Sequence, residues 1–153
     1  NYYLPLGIDD TLNEKVLGIN IQNLNIYDIL SFPTKNCEKL LNKSFLRINH
    51  RNFIYQHSAS CIIKKSIHKK IGYYPTKLKI ASDAYIILSA VKYGCKFKCF
   101  KDPNIGNYGL TGISSKKKTL SLWEMFLVTF RLRFFKSSIY YLIAYLIKKI
   151  FFK

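Results

Sequence analysis

Apolar residues recur along this chain with two spacings, one near four residues and one of two, and the alternation between them sets out the elements. Ile8, Leu12 and Val16 fall four apart between Pro5, suited to a first helical position, and Gly18, suited to a helix end. Residues 5–18 therefore read as a helix, with Asp9 and Asp10 on its solvated face. Residues 24–32 read as a strand ended by Pro33, and residues 36–50 as a polar connection with a short helix around Cys37–Leu41. Residues 59–64 (Ala-Ser-Cys-Ile-Ile-Lys) have the continuous apolar character of a buried strand. Ser66 to Ile71 predicts a short helix stopped by Gly72.

The clearest helix follows. Ser82 is a favourable cap, Asp83 sits in the first turn, and Ile86, Ile87, Ala90 and Val91 form an apolar face before Gly94. Residues 95–100 (Cys-Lys-Phe-Lys-Cys-Phe) alternate strictly, as a half-buried strand does. A loop rich in Gly, Asn and Ser runs through Ser115, and residues 119–153 are helical in pattern and very apolar. The order of helix, strand, strand, helix, strand and terminal helices predicts an α/β layer structure. As a doubly wound fold it lacks its leading strands. With no initiator Met before Asn1, the chain is expected to start inside a larger protein.

Charge narrows the class of partner. Across 153 residues, 25 basic and 8 acidic side chains give a net charge of +17, which draws the chain toward polyanions. Nucleic acid is not the expected partner, because no zinc-finger spacing, aromatic RNP-type strand or basic heptad region is present. The basic residues instead stand among apolar runs near the C-terminus, an arrangement that favours a membrane surface. Cys37, Cys61, Cys95 and Cys99 form no paired CxxC knuckles, and buried, reduced thiols are the simplest reading.

Three segments carry a resemblance. Tyr55-Gln56-His57-Ser58-Ala59-Ser60 leads into Lys64-Lys65-Ser66-Ile67-His68-Lys69-Lys70-Ile71-Gly72-Tyr73-Tyr74. Lys79-Ile80-Ala81-Ser82-Asp83-Ala84-Tyr85 follows, with Leu88, Val91, Gly94 and Phe97 behind it. The third segment is Tyr108-Gly109-Leu110-Thr111-Gly112-Ile113-Ser114-Ser115. In order and spacing over residues 53–115 these resemble the second half of bacterial family 2 glycosyltransferases of the GT-A fold. There are differences: Gln56 precedes His57, Tyr85 stands where the family has a second Asp, and Thr111 where it has a first Gly.

The resemblance implies a partial GT-A, Rossmann-like domain lacking its N-terminal nucleotide-binding strands. Residues 1–118 would be its acceptor-side part and residues 119–153 a C-terminal amphipathic helical segment. It implies inverting transfer of a sugar from a nucleotide-sugar donor to a glycan or lipid-linked acceptor in cell-surface polysaccharide synthesis, with this chain inactive alone. Mg²⁺ or Mn²⁺ would serve the full-length enzyme through ligands mostly upstream of Asn1, and no metal ligand is assigned within the chain. The competing reading is a basic, membrane-peripheral binding module without catalysis.

By the same resemblance Asp83 is the general base that takes the proton of the acceptor hydroxyl as it attacks the anomeric carbon. Its plainer reading is an acid that favours a helix N-terminus through the macrodipole. His57, Ser82, Gly112 and Ser114 are the candidate substrate-binding residues. His57 would touch the diphosphate or the acceptor, or simply be hydrogen-bonded at a strand start. Gly112 to Ser115 with Lys116–Lys118 would cradle a phosphate, or form a flexible basic loop. His50 and His68 read as surface residues, and Trp123, Phe126 and Phe130 as packing.

The apolar run from Ile139 to Ile147 is far short of the roughly 20 residues that span a bilayer. A helix capped by Ser137 or Ser138 and lying on an anionic membrane surface is expected, with the enzyme cytoplasmic and peripheral to the inner face of the cell membrane.

Overall fold

The computed structural model describes residues 1–7, 9–20, 24–35, 58–107 and 109–151. His57, His50, Cys37 and the short helix expected around Cys37–Leu41 lie outside the described residues. The fold is mixed α/β. It divides into a strand unit, Asn1–Lys70 with Gly94–Gly112, and a helical unit, Ile71–Tyr93 with Ile113–Lys153.

The strand unit holds two small sheets. In the first, the order is β1 (Tyr2–Tyr3), β5 (Cys61–Lys64), β3 (Ile29–Ser31) and β6 (Phe97–Cys99). Strand β3 runs antiparallel to β5, pairing Leu30 with Ile62, and parallel to β6, pairing Leu30 with Lys98. In the second sheet, β7 (Gly106–Asn107) lies between β2 (Thr11–Leu12) and β4 (Thr34–Lys35). Alternation puts Leu30 and Ile62 on one face, where they pack with Phe32 and Ile105 as a buried cluster. Phe100 stacks on Phe32 with ring centroids 4.5 Å apart.

The helix expected over residues 5–18 is absent. Tyr2 and Tyr3 pair with β5, Thr11 and Leu12 pair with β7, and only Glu14–Gly18 is helical, as a 3₁₀ turn. The four-residue spacing of Ile8, Leu12 and Val16 was thus coincidental. The chain's free donors and acceptors are met by strand partners distant in sequence, which overrides the local pattern. Asn13 caps the 3₁₀ turn by accepting the Lys15 N–H.

The strand expected over residues 24–32 is confined to Ile29–Ser31, because residues 24–27 close a turn in which the Tyr27 N–H donates to the Leu24 carbonyl; the expected elements over residues 59–71 lie closer to the structure. Ser58–Ser60 forms a 3₁₀ turn before β5, and Lys65–Ile67 runs as a 3₁₀ turn into α1 (His68–Ile71). His68 is a half-buried partner rather than a surface residue: its Nε2 lies 2.7 Å from the Tyr3 hydroxyl. Among the described thiols, Cys61 is buried, Cys99 exposed and Cys95 half-buried, and none of the three is in a disulfide.

In the helical unit, α2 (Ser82–Lys92) buries Ile86, Ile87, Leu88, Ser89 and Ala90, and Gly94 follows it at φ 67°. A short α3 (Ile113–Lys116) replaces the flexible basic loop, and α4 (Lys118–Arg131) and α5 (Phe135–Phe151) follow. Arg133, at φ 62°, makes the turn between them. Its N–H donates to the Phe130 carbonyl and that of Phe134 to the Thr129 carbonyl, the paired bonds of a Schellman end. Helix α5 therefore starts before Ser137. Ser138, expected as a cap, is buried and donates its hydroxyl to the Phe134 carbonyl at 3.1 Å.

Candidate functional site

The first turn of α2 carries Ser82 and Asp83, both half-buried. Ser82 does not cap the helix. The cap position is Ala81, which has no side chain able to accept, so the donors entering the helix need another partner. That partner is Glu124, from the middle of α4. Its Oε1 accepts the Lys79 N–H at 2.9 Å, and its Oε2 accepts the Ile80 and Ala81 N–H groups at 2.7 and 2.9 Å.

Three consecutive amides thus converge on one carboxylate that is only 5% exposed. Bonds from N–H groups to an ionised acceptor are roughly twice as strong as neutral ones, and the carboxylate also meets the positive end of the helix dipole. Glu124 therefore fixes where α2 begins and so where Asp83 stands. The sequence signal for it was a lone acid inside the apolar run Leu-Trp-Glu-Met-Phe-Leu-Val. Such a carboxylate must find donors if it is buried.

Packing orders the rest of α4. Trp123, Phe126 and Phe130 form a ladder, with centroids 5.3 Å apart for the first pair and 5.8 Å for the second. Trp123 also meets Tyr145 of α5 at 5.2 Å. The Arg131 guanidinium lies over the Tyr85 ring at 5.7 Å, a cation–π contact between α4 and α2. Burial pushes the Tyr141 phenol well above its usual range, with the neighbouring Tyr140 adding to the shift.

The other candidates divide between the two units. Ser114 lies on α3 in the helical unit, with Ser82 and Asp83, while Gly112 belongs to the strand unit. Gly112 and Gly109 lie against Asp9. An added Cβ on Gly109 would collide with the Asp9 carboxylate and its backbone carbonyl, and one on Gly112 would come within 2.9 Å of Asp9 Oδ1. Asp9 Oδ2 accepts the Thr111 N–H at 3.1 Å, Asp10 Oδ1 the Gly109 N–H at 3.0 Å, and Asp10 Oδ2 the Gly7 N–H at 2.8 Å. The two acids are therefore not a solvated helix face. They tie segment 109–112 to the turn around residues 7–10.

Three of the four carboxylate oxygens of Asp9 and Asp10 thus accept backbone donors of neighbouring loops. Among the described residues no three His, Cys, Asp or Glu side chains gather as a metal site. Elsewhere in the strand unit, Asp28 accepts the Lys96 N–H at 2.8 Å. Burial pushes the nearby Cys95 thiol up, with Asp28 adding to that and Lys70 opposing it.

Helix α5 turns a broad apolar stripe outward. Ile139, Ile143, Leu146, Ile147 and Ile150 repeat at helical spacing and are between 45% and 67% exposed. Among the described residues no helix is long and apolar enough to cross a membrane. Set against protein-family models, curated proteins and solved structures, the chain matches none of them.

Proposed function

We propose that this chain is the acceptor-side part of a GT-A glycosyltransferase that moves a sugar, with inversion, from a nucleotide-sugar donor to a glycan or lipid-linked acceptor. Cell-surface polysaccharide synthesis is the setting the family resemblance suggests. Asp83 is the general base. The observation that carries the reading is the Glu124 clasp: one buried carboxylate holds three consecutive amides of the segment leading into α2, and Asp83, half-buried, stands in the first turn that follows. A base contributes only if it is held within hydrogen-bond reach of the proton it takes.

The chemistry needs one proton transfer. The acceptor oxygen attacks the anomeric carbon as the nucleoside diphosphate leaves from the opposite face, and the Asp83 carboxylate takes the hydroxyl proton. Ser82, Ser114 and Gly112 are kept as substrate-binding candidates on the family resemblance. His57 is retained as a substrate-binding candidate on the resemblance alone. The Mg²⁺ or Mn²⁺ implied by the family, and the donor nucleotide, are left to residues outside this chain.

The same reading places the enzyme in the cytoplasm, peripheral to the inner face of the cell membrane. Its support is the outward stripe of α5 with Lys136, Lys148 and Lys149 on the same helix, suited to anionic headgroups. Asp83→Asn in the full-length enzyme tests the catalytic claim. Turnover is expected to fall on the order of 100- to 10,000-fold with donor binding kept, because the amide preserves shape and removes the base. Unchanged kcat would reduce Asp83 to a helix-end charge.

A further inference from the structure

The helical unit contains a groove that the transfer chemistry above does not use. It encloses about 510 Å³ between the segment leading into α2 and the C-terminal half of α4. Leu78, Tyr85, Leu127 and Phe130 give it apolar and aromatic walls, and Thr76, Lys77 and Arg131 also line it. Leu127 and Phe130 are 39% and 56% exposed, so their apolar surface is open to a ligand. Among the described residues no carboxylate lines the groove, and no acidic side chain pairs with Lys77 or Arg131. The nearby Glu124 is committed to three backbone donors. Arg131 is held over the Tyr85 ring at 5.7 Å, which orients its guanidinium before any ligand arrives.

We infer that this groove binds a single-chain lipid phosphate, its hydrocarbon on Leu127 and Phe130 and its phosphate between Arg131 and Lys77. Charge complementarity selects the head group. A phosphate monoester carries between about −1.5 and −2 near neutral pH, which two cations match and a single carboxylate does not. The planar guanidinium suits a phosphate's oxygens, and Lys77 adds a second charge without constraining geometry. The walls select the tail, since Leu78, Leu127 and Phe130 offer apolar surface to a hydrocarbon chain. Identifying this ligand as the carrier end of the acceptor rests on the transferase reading. The binding itself does not, and it is measured without any sugar transfer.

Calorimetric titration of the full chain with octyl phosphate, below its micelle-forming concentration, tests the inference. Inorganic phosphate and octanol serve as the two half-ligands, and phosphatidylglycerol vesicles as the membrane control. Octyl phosphate is expected to bind at least about tenfold more tightly than either half-ligand. Arg131→Gln and Leu127→Asn should each weaken it by about tenfold, the size of one lost charge-assisted bond or one lost apolar contact surface. Both side chains are exposed, so circular dichroism should report an unchanged fold, and Lys77→Gln provides an independent second variant on the loop side.

Inorganic phosphate binding as well as octyl phosphate would overturn the inference in favour of a plain basic patch. Octanol binding equally well would reduce the site to an apolar cleft. Vesicle binding lost in Arg131→Gln, with no octyl phosphate bound by the wild type, would make the same residues a membrane contact instead. A transferase that proves inactive while octyl phosphate binds as described would remove the acceptor assignment and leave the site.

Discussion

The two units use their acidic residues alike and their apolar residues differently. In the strand unit Asp9, Asp10 and Asp28 each accept backbone N–H groups, and in the helical unit Glu124 does the same. In a chain of net charge +17, these carboxylates act as local anchors for loop amides. The apolar side chains divide otherwise. Leu30, Phe32, Ile62 and Ile105 of the strand unit are 4% exposed or less. Along α4 and α5, Leu127, Phe130, Ile139, Ile143 and Ile150 remain 39% to 67% exposed. Both units bury a core and both leave apolar residues exposed, Leu17 and Ile26 in the strand unit among them, but those of α5 repeat along one helix face, which is where the membrane contact is assigned.

The anchors differ in how much each carries, and substitution separates them. Glu124→Ala should have the larger effect. It strands three amides beside a buried site and is expected to cost about 3 kcal/mol, read as a lower urea midpoint for the helical unit. Glu124→Gln, which keeps one acceptor oxygen, should cost about half as much. A loss below about 0.5 kcal/mol for the alanine variant would mean that the clasp does not hold the start of α2.

In the strand unit, Gly109→Ala should cost about 1–3 kcal/mol by driving a methyl group into Asp9. In an Asp9→Gly background that cost should shrink without vanishing, because the Asp9 backbone carbonyl still stands in the way. Additive single and double variants would show that Asp9 and Gly109 are not in contact.

The smallest stability effect belongs to the uncovered surface. Ile139→Asp with Ile143→Asp should change stability by no more than about 0.5 kcal/mol per site, since both side chains face outward. Flotation with anionic vesicles should nevertheless fall sharply, as it should for a variant ending at Lys136. Equal recovery of wild type and variants would remove the membrane assignment.

What the sequence made legible follows from where local and tertiary demands agree. Helix α2 has an apolar face of Ile86, Ile87 and Ala90 and a glycine after it, and nothing nonlocal competes with that pattern. The alternation of residues 95–100 gave β6 for the same reason. Residues 5–18 misled because two-residue strands have no period to read, and their pairing with β5 and β7 depends on residues far along the chain. At the site, Asp83 and its first-turn position were legible. The cap was not: Ser82 offered a plausible local acceptor, and the actual acceptor is Glu124, over 40 residues away. The Asp9–Asp10 tie to Gly109 and Thr111 was hidden likewise, since a paired acid looks the same on a solvated helix and at a loop junction.

The proposed reaction is inverting sugar transfer with a single base, and the anomeric configuration of the product tests it most directly. Full-length enzyme would be supplied with a nucleotide sugar, Mg²⁺ or Mn²⁺ and acceptor, and the new linkage read by the coupling of its anomeric proton. One displacement opposite the departing diphosphate inverts the carbon, so an α-linked donor should give a β-linked product and release one nucleoside diphosphate per linkage formed. A product that retains the donor's configuration, or no diphosphate release with any nucleotide sugar, would contradict the account.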